Sequence, residues 1–181
     1  IDKFVFINKK FNNFKFKKNK TLKIEQSITH EEEEIDDNSE PIFDYKDIKI
    51  KKNIISEKDN VLECFRILSK LKDINFRLDP INNYLDFLDK NQKKYSFINY
   101  AEIAYGLGLD VSYGELSNSQ VFLIKTPSLI IYKNSLALVV RTTVDKLTLI
   151  YPPEGIINLK KNDVEKIFEG KINIINISKN L

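Results

Sequence analysis

The spacing of apolar residues predicts three helices between residues 53 and 106. The first is capped by Asp59, and its apolar positions recur every three or four residues: Val61, Leu62, Phe65, Leu68 and Leu71. The second begins at the start signal Asp79-Pro80, and the following side chains share one face: Ile81, Tyr84, Leu85 and Leu88. The third runs from about Ser96 to Tyr105 and is ended by Gly106 and Gly108.

Beyond Gly108 the period changes to that of strands. Short segments rich in Val, Ile, Leu and Tyr are separated by polar turns, and they predict strands at 109–113, 121–124, 128–132, 136–142 and 146–151. Asn162 and Glu165 form a capping box for a last short helix that Gly170 ends, and 172–178 is predicted as a final strand. Helices followed by a mostly antiparallel sheet indicate an α+β fold.

The first 52 residues have a different character and are predicted to be an extension or linker, with the main domain at 53–181. Aromatic residues alternate with polar ones at Phe4 and Phe6 and again at Phe14 and Phe16, which favours short strands. An acidic run at 31–37 follows, typical of a solvated linker and less often of a cation site or a docking site for a basic partner. Residues 42–52 are predicted to form one more strand.

Amino-acid composition and net charge limit the possible classes of partner and the cellular compartment only slightly. Hydrophobic residues make up 42% of the 181, enough for a packed core, and the net charge of +3 demands neither a nucleic acid nor a membrane partner. We therefore expect no nucleic-acid partner. A single cysteine cannot form an internal disulfide, which fits a reducing compartment. The lack of any Met suggests a piece of a longer protein.

Five segments, in this order and spacing, carry a resemblance to a known family: DNVLECFRILSKLKDINF (59–76), IAYGLGLDV (103–111), KTPSLIIY (125–132), LTLIYPPEG (147–155) and NDVEKIFEGKINII (162–175). Together they resemble the bacteriocin-processing, double-glycine leader peptidase domain at the front of bacterial ABC exporters. They resemble still more the peptidase-like domain of haemolysin-type exporters. The resemblance covers about residues 53–178, and it implies a papain-like cysteine-peptidase fold.

The resemblance also locates four positions of catalytic importance, and each departs from the family pattern. The nucleophilic Cys falls at Asn60, and the Gln that helps to bind the oxyanion falls at Ile54. The His falls near Leu136, and the Asp that orients it falls at Tyr151. Thiolate chemistry needs a nucleophile, a base and an oxyanion donor. The resemblance therefore implies a degenerate domain with no catalytic residues.

Two residues remain as sources of an alternative activity. Cys64 lies one helical turn after Asn60 on the core-facing side, where a buried small hydrophobe is expected. His30 is the one histidine of the chain, and it belongs to the acidic segment outside the main domain. An active leader peptidase with an atypical nucleophile is the alternative that these residues leave open.

The resemblance implies a binding module of an ABC exporter for type I secretion. Its partners would be an unfolded or peptide export substrate and the transmembrane and ATPase domains of the same chain. It would lie on the cytoplasmic side of the bacterial inner membrane, with no cofactor and no metal. Four tyrosines would border its cleft and could contact the substrate: Tyr105, Tyr113, Tyr132 and Tyr151. An ordinary role of these tyrosines in the sheet and core is an equally good interpretation. A purely structural or regulatory domain is a third possibility.

Overall fold

A computed structural model describes residues 44–168 and 171–179 of the chain. Its helices are Glu57–Leu71 (α1), Leu78–Lys90 (α2), Phe97–Gly106 (α3) and Lys161–Ile167 (α4). Its strands are Leu109–Ser117 (β1), Ser128–Tyr132 (β2), Ser135–Thr142 (β3), Lys146–Tyr151 (β4), Gly155–Lys160 (β5) and Lys171–Lys179 (β6). The predictions for the early Phe residues, His30 and the acidic run lie outside the described residues.

The three predicted helices are present, but α1 begins earlier than predicted. Ser56 is its N-cap, and the Ser56 hydroxyl accepts a hydrogen bond from the backbone N–H of Asp59 at 3.0 Å. The carboxylate of Asp59 accepts the backbone N–H of Ser56 at 3.2 Å, which completes a capping box. Asp59 is therefore the third residue of the first turn and not the cap. Ser96 caps α3 in the same way.

The six strands form one fully antiparallel sheet in the order β1-β6-β2-β3-β4-β5. The last strand, β6, lies between β1 and β2 and pairs with both, so it joins β1 to the rest of the sheet. A tight turn at Lys133 and Asn134, both with positive φ, joins β2 to β3. The predicted helices-then-sheet order is confirmed, and with it the α+β fold class.

Two predicted strands are wrong. Of the predicted strand 121–124, the first three residues belong to a 3-10 helix, Gln120–Leu123, that buries two apolar side chains and leaves Leu123 exposed. Within 42–52, the described part begins with a 3-10 helix, Tyr45–Asp47, capped by the side chain of Asp44. The first segment is a short apolar run and the second alternates apolar with charged residues, and neither is long enough to distinguish a strand from a single helical turn.

The sheet also holds a strand that the pattern did not predict. β5 pairs with β4 along its whole length and is an edge strand of the described sheet. α4 follows at once, with Lys160 as its N-cap and Asp163 accepting the cap N–H, so the predicted box of Asn162 and Glu165 is wrong. The helix ends at Ile167, ahead of the predicted stop at Gly170, which lies outside the described residues.

Both faces of the sheet are buried along its central strands β2, β3 and β4. Along β3, Leu136 and Leu138 pack into the core beneath the three large helices, whereas Ala137 and Val139 pack into a second core beneath α4. Alternation of this kind follows from the two-residue period of a strand. β3 is therefore central to the domain.

The segment before Ser56 packs along α1. The guanidinium of Arg66 donates to the backbone carbonyl of Lys49 at 2.7 Å, and the backbone N–H of Lys51 donates to Glu63 at the same distance. Ile48 is buried in the helical core. The division of the chain at residue 52 stays a prediction. Among the described residues, no helix has the length and apolar character needed to cross a membrane.

Candidate functional site

Asn60 lies in the first turn of α1 and is 1% exposed. Its Nδ2 donates to the Ser135 hydroxyl at 2.8 Å and to the backbone carbonyl of Leu136 at 2.9 Å. A buried amide is costly unless its polar atoms find partners, and here both donor directions are used. The side chain at the predicted nucleophile position thus connects the start of α1 to the start of β3.

The hydrogen bonds continue beyond Asn60. The Ser135 hydroxyl donates to one oxygen of Glu57 at 2.6 Å, and the Tyr100 hydroxyl donates to the other at 3.1 Å. The cluster joins α1, α3 and β3. Sequence reasoning did not identify Ser135, Glu57 or Tyr100 as site residues. Their separations of 43 and 78 residues leave no local signal, although Glu57 could be recognised as an acidic residue in the first turn of a helix.

The family's His is predicted near Leu136, whose own side chain does not reach Asn60. The side chain of Leu136 is fully buried in the helical core, and only its backbone carbonyl reaches Asn60. The side chain that contacts Asn60 belongs to Ser135, one residue earlier. Of these two positions, 135 is the one whose side chain contacts Asn60.

Tyr151 ends β4 next to the same cluster. Burial, then the charges of Glu154 and Glu57, raise the pKa of Tyr151, while a hydrogen bond with the Ser135 hydroxyl opposes that shift. Three of the four predicted positions therefore converge around Ser135. The fourth, Ile54, is half-buried in the segment before α1, and its apolar side chain takes no part in the hydrogen-bonded cluster.

Cys64 is placed where it was expected, in the core. The residue is completely buried, and its Sγ lies 3.4 Å from the carbonyl oxygen of Leu136 and 3.8 Å from Oδ1 of Asn60. Burial, followed by the negative charges of Glu63 and Glu57, raises the pKa of the Cys64 thiol well above its usual value. A thiol that stays protonated at neutral pH is a poor nucleophile.

A groove of about 650 Å³ opens beside the cluster, within the size range of ligand sites. Its apolar lining comes from the α2–α3 connection, α3 and β2: Tyr95, Phe97, Tyr100 and Ile131. Its charged lining includes Glu57 and Asp89, and Lys58, Lys93 and Lys94. The groove therefore combines a mainly aromatic floor with a mixed, predominantly basic rim.

The four tyrosines predicted to border a cleft do not meet at one place. Tyr132 and Tyr151 pack edge to face at 5.2 Å in the second core. Tyr113 packs against Phe97 at 6.5 Å on the helical side, and Tyr105 is 39% exposed on α3. None of the four lines the groove.

Comparisons with known proteins place the fold. No protein-family model matches the chain, and no curated protein matches it. A solved double-glycine motif protease from an AMS/PCAT transporter, in complex with its leader peptide, matches with a TM-score of 0.59 at 10% identity. That match covers 73% of this chain and 91% of the protease chain.

Two further solved structures are similar. The peptidase domain of Streptococcus ComA, a bifunctional ABC transporter of a quorum-sensing pathway, matches with a TM-score of 0.51 at 15% identity over 70% of this chain and 95% of its own. The peptidase C39-like domain of a toxin secretion ATP-binding protein from Vibrio parahaemolyticus matches with a TM-score of 0.45 at 12% identity. That match covers 66% of this chain and 97% of the Vibrio domain. The first two matches show that the chain has the papain-like fold of C39 peptidase domains. The predicted resemblance is confirmed at the level of the fold.

Proposed function

We propose that this chain is a catalytically inactive, peptidase-like domain of an ABC exporter that binds a peptide and does not cut it. The observation that carries the proposal is the state of Asn60. Its amide stands at the position that the resemblance assigns to the nucleophile, and it donates hydrogen bonds to Ser135 and to the Leu136 carbonyl. An amide nitrogen is not a nucleophile for acyl transfer.

The neighbouring hydroxyl does not replace the thiol. Ser135 is 7% exposed, and its oxygen already accepts a hydrogen bond from Asn60. The acceptor of its own proton is Glu57, and a carboxylate is a weaker base for a serine hydroxyl than the histidine imidazole that usually activates such a nucleophile. No histidine occurs in residues 31–181 to serve instead. The cluster supports binding and positioning better than catalysis.

The groove supplies the binding surface. Aromatic side chains offer flat contact area to an extended peptide at a small entropic cost, and three of them line the floor: Tyr95, Phe97 and Tyr100. The exporters to which the similar solved domains belong suggest the context. In the proposal the bound peptide is an export substrate, the partners are the transmembrane and ATPase domains of the same chain, and the domain lies on the cytoplasmic side of the bacterial inner membrane.

The test combines cleavage and binding of a fluorescent synthetic peptide that carries a double-glycine leader. Mass spectrometry is expected to show no cleavage by the wild type. Fluorescence anisotropy is expected to show saturable binding that Phe97→Ala weakens about tenfold, equivalent to about 1.4 kcal/mol of contact. Phe87→Ala is the matched control, because Phe87 is 49% exposed on α2 and does not line the groove. Circular dichroism confirms that both variants fold.

The alternatives predict different results. Time-dependent cleavage lost in Cys64→Ala would establish an unusual thiol peptidase, and cleavage lost only in Ser135→Ala would establish a serine-based one. A peptide that is neither bound nor cut by any variant would favour the structural or regulatory role.

A further inference from the structure

The rim of the groove carries two positive charges without an ionic partner among the described residues. Lys93 and Lys94 line the groove on the α2–α3 connection, and both are exposed. Lys58 is paired with Asp86 at 2.5 Å, and Asp89 accepts the hydroxyl of Tyr95 at 2.9 Å. None of the three ion pairs within the described residues includes Lys93 or Lys94. An anionic group on a partner would therefore find these two ammonium groups available.

The chain itself holds a segment of matching chemistry. Residues 31–37 have the sequence EEEEIDD, six carboxylates around one apolar residue, Ile35. The negative charge of the segment complements the two lysines at the rim, and the apolar side chain of Ile35 suits the aromatic floor. We propose that this acidic segment docks in the groove of its own molecule, with carboxylates on Lys93 and Lys94 and Ile35 on the aromatic floor. This inference rests on the proposed function in one respect: the docked segment would compete with the exported peptide for the same groove.

The length of the intervening chain permits docking within one molecule. Lys49 lies beside Arg66 and Ser56 lines the groove, so ten residues of helix, roughly 15 Å, separate Lys49 from the groove. Five residues connect Lys49 to Asp44 and add at most roughly 17 Å. The first four glutamates precede Asp44 by ten to thirteen residues, which reach roughly 34–44 Å when extended. The reach of these four glutamates therefore exceeds the combined separation of at most roughly 32 Å, and Ile35, nine residues before Asp44, reaches roughly 31 Å, so docking requires a nearly extended connection but no change in residues 44–56.

The expected interaction is weak at each contact and strengthened by the covalent connection. Exposed ion pairs are screened by salt and contribute little individually. A short tether raises the local concentration of the segment to the millimolar range, so that even a weak site is substantially occupied. Occupancy of this order raises the apparent Kd of a competing peptide roughly two- to fivefold and falls as ionic strength rises.

The test is zero-length carbodiimide cross-linking of the full chain, followed by peptide mapping. Carboxylates in residues 31–37 are expected to form isopeptide bonds chiefly with Lys93 and Lys94, in the monomer fraction and less at high salt. The double variant Lys93→Gln/Lys94→Gln should lose these links. Lys161→Gln/Lys166→Gln is the matched control, since both lysines are exposed on α4 and lie outside the groove, and it should keep them.

Each other result overturns the inference. Links spread over exposed lysines without preference would show that the groove is not the docking site. Links found only in a covalent dimer would show docking between two molecules. The cross-links do not depend on peptide binding, so a failure of the proposed function is recognised separately. If the peptide binds, replacing the six carboxylates by their amides should tighten its Kd two- to fivefold, and an unchanged Kd would contradict competition.

Discussion

Replacing Asn60 by Ala tests the structural role of the position predicted for the nucleophile. The substitution removes two donated hydrogen bonds, of 2.8 and 2.9 Å, at a site that is 1% exposed. The carbonyl of Leu136 would keep the thiol of Cys64 at 3.4 Å as a side-chain partner, and a thiol is a weak donor. Ser135 would keep Glu57 as its acceptor. The substitution therefore costs mainly the two hydrogen bonds that the amide donates, and it leaves the buried Leu136 carbonyl poorly satisfied.

The magnitude follows from these contacts. Each hydrogen bond contributes a net of about 1 kcal/mol, and a buried carbonyl that is left poorly satisfied adds a further cost of about 1 kcal/mol. We expect Asn60→Ala to lower the free energy of unfolding by about 2–3 kcal/mol. That is a large fraction of the 5–15 kcal/mol typical of a domain, so the variant should fold but unfold at a clearly lower urea concentration.

Equilibrium unfolding in urea, followed by far-UV circular dichroism, measures the difference. Ser69→Ala is the matched control: Ser69 is also on α1 and 1% exposed, but its hydroxyl has no hydrogen-bond partner within the described part of the chain. Removing an unpaired buried hydroxyl should be neutral or slightly stabilising. The reasoning is refuted if Asn60→Ala costs less than about 0.5 kcal/mol, or if the control costs as much.

Three further predictions follow from contacts in the same domain. Burial alone would raise the pKa of Glu63, but Arg66 and a backbone N–H outweigh it and lower the pKa. Glu63→Gln should therefore lower the free energy of unfolding by about 2 kcal/mol at neutral pH. The contribution of the ionised carboxylate is lost as the pH falls through its lowered pKa, so urea unfolding should show the difference between wild type and variant shrinking below about pH 4. The thiol of Cys64 should resist a disulfide reagent at about pH 8 until the protein is unfolded, whereas rapid labelling of the native protein would contradict its burial. A double-mutant cycle of Tyr132→Leu and Tyr151→Leu should give a coupling of about 0.5–1.5 kcal/mol, and additive losses would argue against the edge-to-face contact.

The sequence predicted most of the fold because most of its signals are local. Helical spacing located all three large helices, although the start predicted for α1 was misplaced, and apolar runs located β2, β3 and β4. β5 was missed because its residues Gly155–Lys160 form a short strand whose burial depends on pairing with β4. Gln120–Leu123 was misassigned because a short apolar run has no period to measure.

The site was predictable only in part, and for a different reason. The resemblance placed Asn60 and Tyr151 on elements that do converge. The contacts of Ser135 with these two residues and with Glu57 depend on how α1 packs across the start of β3, and no local pattern encodes that packing. The groove likewise depends on the α2–α3 connection, whose aromatic residues, such as Tyr95, the sequence marks only as hydrophobic.

The alternation of β3 between the two cores has a consequence for how the domain opens. Leu136 and Leu138 secure the strand to the helical layer, while Ala137 and Val139 secure it to the layer beneath α4. Neither layer can separate from the sheet without exposing part of this strand to water. The amide protons of β3 should therefore exchange with solvent only through global unfolding, so that their exchange rates report the stability of the whole domain.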